Sequence, residues 1–109
     1  MDGTWNYDKI DGTIAASGGG ATTPSTFINA GSITLKKDGT GSYTQVLNGS
    51  TTNGTITWSN TATTVTIIES GQSALVFTVS TNEKKKQIWN TTYNDAGDQI
   101  TETWTLSLK

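Results

Sequence analysis

The chain has 109 residues and a net charge of −2, from seven lysines against nine carboxylates, and it contains no cysteine, histidine or arginine. That length suits one domain that buries roughly two thirds of its extended surface and folds on packing alone. The missing residue types exclude disulfides, the usual zinc and iron ligand sets, and Ser-His or Cys-His nucleophiles; the charge offers no platform for nucleic acid.

In chain order, runs rich in Thr, Val, Ile, Tyr and Trp alternate with short Gly, Asn and Asp clusters, the signature of half-buried strands joined by tight turns. Strands are predicted near Thr4 to Ile14, Gly31 to Lys37, Gly41 to Leu47, Gly54 to Ser59, Thr63 to Glu69, Ser73 to Thr81, Lys85 to Tyr93 and Asp98 to Leu108. Between them stand Asp38-Gly39, Asn48-Gly49 with Asn53-Gly54, Asn60 to Ala62, Ser70-Gly71, Asn82-Glu83 and Asp95-Ala96-Gly97. These types tolerate or require positive φ in hairpins. Neighbouring strands are therefore expected to pair antiparallel, in order.

One connection is long and Gly-rich, AASGGGATTPSTFINAG from Ala15 to Gly31. Three consecutive glycines cannot pack a core. The second half reads either as a plain loop or as one helical turn capped by Thr23, with Pro24 in its first position, Phe27 and Ile28 on one face and Gly31 ending it.

Eight antiparallel strands with one polar face must fold over as a sandwich or close as a barrel. The first and last predicted strands are among the longest and carry aromatics, which favours their pairing and an all-β, eight-stranded, up-and-down barrel. Alternation puts Trp5, Tyr7, Ile33, Leu35, Tyr43, Ile56, Trp58, Val65, Ile67, Leu75, Phe77, Val79, Ile100, Trp104, Leu106 and Leu108 inside, with only one of Ile88 and Trp89. Burying each such side chain is worth ~1.5–3 kcal/mol. A barrel of this size either fills with its own side chains or holds one small ligand. With three or four tryptophans inside, filling is the favoured expectation.

Gly3-Thr4-Trp5 at the start of the first strand, the long first connection, hairpins such as SITLKKDGTGSYT, and the closing ITETWTLSL together resemble the short lipocalin-like domains of exported bacterial proteins, often lipoproteins. The resemblance covers nearly the whole chain. It implies a calycin-type barrel whose G-x-W tryptophan plugs the closed end and whose loops frame the open one. It also implies a monomer in the periplasm or cell envelope of a Gram-negative bacterium, with a lipid anchor compatible with the full-length chain. Low charge and abundant Thr, Gly, Asn and Ser agree with an exported domain whose leader has been removed. MDGTW itself lacks the regions of a signal peptide, and no window approaches the ~20 apolar residues of a membrane span. The chain departs from full-length lipocalins in having neither disulfides nor the arginine that stacks on the G-x-W tryptophan.

Glu102 lies on the apolar parity of the last strand. An unpaired carboxylate inside an apolar barrel costs several kcal/mol or takes up a proton, so a partner or water is expected. Pairing Trp5 with Leu106 sets Lys9 opposite Glu102; sliding by two residues sets Tyr7 there instead. Glu102 is thus a structural partner, a ligand-orienting carboxylate, or half of a catalytic pair. The last role needs a second carboxylate facing the same cleft, Asp8 or Glu69. Lys84 to Lys86 read as a solvated hairpin tip. The Thr-x-Thr pairs of the later strands fit an outer strand face, the Asn-x-Ser/Thr triplets are chance matches, and Asn94, Asp95 and Asp98 lack calcium-loop spacing.

The favoured function is non-enzymatic and cofactor-free: binding a small apolar or amphipathic ligand in the barrel, with Tyr43, Trp58, Phe77 and Trp104 as surface and Tyr7, Lys9 or Glu102 orienting a polar end. The alternative is a structural or interaction module whose barrel is filled. A cavity separates the two.

Overall fold

The computed structural model describes residues 1–15, 22–95 and 97–109, so the triglycine of the first connection lies outside the described residues. The strands are β1 (Gly3–Ala15), β2 (Thr22–Ile28), β3 (Gly31–Leu35), β4 (Thr40–Leu47), β5 (Ser50–Asn60), β6 (Thr64–Glu69), β7 (Leu75–Asn82), β8 (Lys86–Asp95) and β9 (Asp98–Leu108). Each pairs antiparallel with its neighbours, and β1 also pairs with β9. The ring closes as an up-and-down barrel. Among the described residues there is no helix, and none is long and apolar enough to cross a membrane.

Nine segments make eight staves, because β2 and β3 follow one another along the same edge of β1. β3 covers Gly3 to Asn6 and β2 covers Lys9 to Ala15. The kink between them uses positive φ at Asn29 (53°) and Gly31 (109°). A Cβ on Gly31 would run into the Thr44 carbonyl, so only glycine fits there. The amides of Asn29 and Ala30 still reach the carbonyls of Asp8 and Tyr7, at 3.0 and 2.9 Å. The helical turn expected over Thr23 to Ile28 is thus replaced by a strand. The 13-residue β1 outruns the five-residue β3, and its remaining amides and carbonyls need a ladder partner that the segment can supply.

The hairpin after β4 turns at Asn48-Gly49, with φ of 51° and 77°, which starts β5 four residues earlier than expected. Asn53-Gly54 is then not a turn. Gly54 sits opposite Tyr43, and an added Cβ would lie 2.6 Å from the Tyr43 ring, so the glycine gives that ring its place.

The terminal strands pair as expected but in a different register. Trp5 faces Leu108 and Tyr7 faces Leu106; the ladder then shifts at a bulge between Tyr7 and Lys9, so that Lys9 faces Thr105, Ile10 faces Trp104 and Gly12 faces Glu102. One extra residue exchanges the faces of everything after it. Ile10 turns inward and is buried, whereas Lys9 turns outward and pairs with Asp11 at 3.3 Å. A second register shift between Val79 and Thr81 sets Trp89 inside opposite Val79, which decides between Ile88 and Trp89.

One end of the barrel is solid. Trp5, Leu35, Val65, Phe77, Trp89 and Leu106 are fully or almost fully buried there. Phe77 packs 5.8 Å from Trp89 and 4.6 Å from Trp104, and the Trp5 indole donates to the Met1 carbonyl at 2.9 Å. Gln87, 2% exposed, is satisfied by donating to Asn82 at 2.6 Å and to the Glu83 carbonyl at 3.0 Å, and by accepting from the Trp89 indole. Buried polar groups with such partners cost little and fix register.

Candidate functional site

The other half is hollow. Above the packed rings the inward positions change character: Tyr43 and Gln45 on β4, Gly54 on β5, Glu69 on β6, Thr91 and Tyr93 on β8, Glu102 on β9 and Gly12 on β1. Two glycines and several polar residues cannot close the space, and a cavity of about 550 Å³ results. Its wall includes Tyr7, Ile33, Tyr43, Gln45, Ile56, Ile67, Glu69, Tyr93, Glu102 and Trp104, with Gln72 and Ser73 of the β6–β7 turn at the rim. A side chamber of about 200 Å³ runs under β2, lined mainly by Ile10, Ile14, Phe27, Leu47 and Ile100. The two spaces share Gln45, Tyr93 and Glu102.

The expectation of a side-chain-filled barrel therefore holds only for the closed end. The bulky rings stack there because the inward alternation of β7, β8 and β9 supplies Phe77, Trp89 and Trp104 at matching heights. Upward from them the inward positions are Leu75 on β7, Thr91 and Tyr93 on β8 and Glu102 on β9, which leave the space open.

Glu102 is held by two donors. The Tyr93 hydroxyl reaches Oε2 at 2.6 Å, and the Trp104 indole, two residues along the same face of β9, reaches Oε1 at 3.0 Å. Its partner is thus neither Lys9 nor Tyr7. The indole can only donate, so Oε1 is the acceptor of that bond. A second acid stands in the same wall: Glu69 Oε1 accepts from the Tyr43 hydroxyl at 2.7 Å. That bond, then burial and the charge of Glu69, push the Tyr43 phenol up to about 12. Burial pushes the Tyr7 phenol well above its ordinary range; a hydrogen bond with Gln45 acts the other way, and Tyr43 and Glu102 add to the rise. The Tyr7 ring meets Trp104 edge to face, with centroids 5.1 Å apart.

Of the side chains expected to form the site, Tyr7, Tyr43, Glu102 and Trp104 come together in the wall. Phe77 is fully buried behind Trp104 and belongs to the packed end. Trp58 lies at the closed end, where its indole donates to the Lys36 carbonyl at 2.9 Å. Lys9 is outside the barrel, put there by the bulge. Sequence reasoning missed Gln45 and Tyr93, although each continues an inward alternation, Tyr43-Gln45-Leu47 and Trp89-Thr91-Tyr93. It named Glu69 only as a conditional partner of Glu102; both acids do face the one cavity, while Asp8 accepts from Ser107 at 2.9 Å on the outer face.

Among the described residues no group of three or more acidic side chains is placed to hold a metal ion. What the wall offers is a deep, half-open space with aromatic sides, an apolar annex and two carboxylates fixed by phenols. No protein-family model, curated protein or solved structure matches the chain.

Proposed function

We propose that the protein is a non-enzymatic, lipocalin-like carrier that holds one small amphipathic molecule in the upper half of its barrel. The observation that carries this reading is the 550 Å³ cavity above a solid floor of tryptophans. Ligand sites of about 300–1,000 Å³ combine apolar walls with a few fixed polar groups, and Glu102 with its two donors is such a group. An envelope location accords with the composition and the lipocalin-like start. Native mass spectrometry of protein purified from its own host, with uptake of a neutral environment-sensitive dye, tests the proposal. A co-purifying small molecule displaced by the dye supports it; no bound species and no dye uptake sinks it.

A second reading draws on Glu69 and Glu102 facing one space, the arrangement of carboxylate-pair hydrolases. Both oxygens of Glu102 are already engaged by Tyr93 and Trp104, which leaves the carboxyl less free to turn toward a leaving-group oxygen. Turnover of an aryl glycoside that Glu69→Gln and Glu102→Gln each abolish would establish that reading over the carrier.

A further inference from the structure

We propose that the ligand is an organic ammonium ion with an apolar tail, its head between Glu69 and Glu102 and its tail in the side chamber under β2. This rests on the carrier reading above and names its ligand class.

Charge is the first ground. Two carboxylates line the cavity and no lysine does. The bulge turns Lys9 to the outer face, and the other six lysines all belong to the closed end. Lys36 and Lys37 lie between β3 and β4, Lys84 to Lys86 between β7 and the start of β8, and Lys109 follows β9. The hollow end carries Glu69 and Glu102 in its wall. A field of that polarity draws cations to the open end and opposes anions. An alkanoate head would enter beside two like charges with no cation to meet it, at a cost no tail contact offsets cheaply.

Aromatic geometry is the second. Tyr7, Tyr43, Tyr93 and Trp104 surround the acids, and the hydroxyls of Tyr43 and Tyr93 are committed to Glu69 and Glu102. A cation binds electron-rich ring faces within about 6 Å of the centroid, and these four rings line the space beside the two acids. Each Glu102 oxygen has accepted one bond and keeps a further lone pair for an N–H donor. Shape is the third. The side chamber shares Gln45, Tyr93 and Glu102 with the main cavity, so a head held at Glu102 has Ile10, Ile14, Phe27 and Leu47 beyond those three side chains to receive its tail.

Octylamine, octanol and octanoate share a tail and differ in head charge, so displacement of the neutral dye by each, on the unmodified protein at neutral pH, reads the inference directly. Octylamine should bind about tenfold tighter than octanol, and octanoate weaker than both. Glu102→Gln and Glu69→Gln, checked for retained circular dichroism, should each weaken octylamine several-fold and weaken octanol much less, so that the preference for octylamine over octanol falls. Added salt should weaken octylamine alone. Octanol or octanoate binding as well as octylamine overturns the ammonium inference and leaves the carrier reading intact. Failure of all three to displace a dye that does bind overturns the ammonium inference alone; no dye uptake together with no co-purifying species overturns both.

Discussion

The two ends of this barrel are built from the same eight staves, with inward and outward positions alternating throughout, yet one end is solid and the other hollow. At the solid end the inward positions are Trp5, Trp89, Phe77, Leu106 and Val65, each with about 2% exposure or less. At the hollow end they are Gly12, Gly54, Gln45, Thr91, Glu69 and Glu102. Period fixes which way a side chain points; its volume and polarity then decide whether the enclosed space is occupied. The solid end holds the ring closed, which allows the hollow end to keep acids and phenols in fixed pairs without collapsing on them.

The largest expected effect lies in the packed rings. Trp89→Ala removes a fully buried indole packed against Phe77 and Trp104 and should cost ~3–5 kcal/mol in a urea unfolding curve. If a truncation in the cavity wall, such as Ile67→Ala, cost as much, the division between the ends would fail. Next comes Gly54→Ala. Its methyl would lie 2.6 Å from the Tyr43 ring, so the ring must move and the Tyr43–Glu69 bond with it, at ~1–3 kcal/mol. Loss of dye binding should accompany that drop in stability, whereas Trp89→Ala should leave binding in the folded fraction unchanged.

Tyr43→Phe is smaller, about 1 kcal/mol for one hydrogen bond at a partly exposed site, and it carries a pH signature. The phenol ionises at about 12 in the fold against an ordinary value of 10.0. The folded state therefore binds its proton more tightly than the unfolded state, so this stabilisation is intact below pH ~10 and is lost as pH rises toward 12. Stability measured across that window should fall in the unmodified chain and fall less in the variant. Least of all, Lys9→Met should change stability by under ~0.5 kcal/mol, since the Lys9–Asp11 pair is solvent-exposed, and should not change octylamine affinity. A strong effect on binding would put Lys9 inside after all.

Much of the architecture was legible from the residues. The antiparallel order, the pairing of the first and last strands and the inward set around Trp5, Tyr7, Phe77 and Trp104 all follow from alternation and turn chemistry. What escaped was whatever turns on one residue. Nothing in Tyr7-Asp8-Lys9 marks a bulge, because the shift is set by how β1 must serve β3, β2 and β9 at once. Lys9 was accordingly expected inside and Ile10 outside. β2 was hidden for a similar reason: the proline in TTPSTFI argues against a strand, and the unmet ladder of β1 draws the segment into the sheet. The hollow is set by the small and polar inward positions between the large side chains, whose effect alternation alone does not reveal. Glu102 stood out as a misfit in an apolar row, and it is a true element of the wall, although its partner on β8 could not be chosen without the register that sets Thr91 opposite it.

Pro24 stands in β2 opposite Thr13, and among the described residues β2 pairs with β1 alone. A ladder tolerates proline only where its nitrogen faces away from the partner strand. The ring carbon therefore sits on the outer margin of the rim, where a stranger's backbone would otherwise find a donor waiting. In a crowded solution this one imino acid discourages stacking of barrel upon barrel at the open lip.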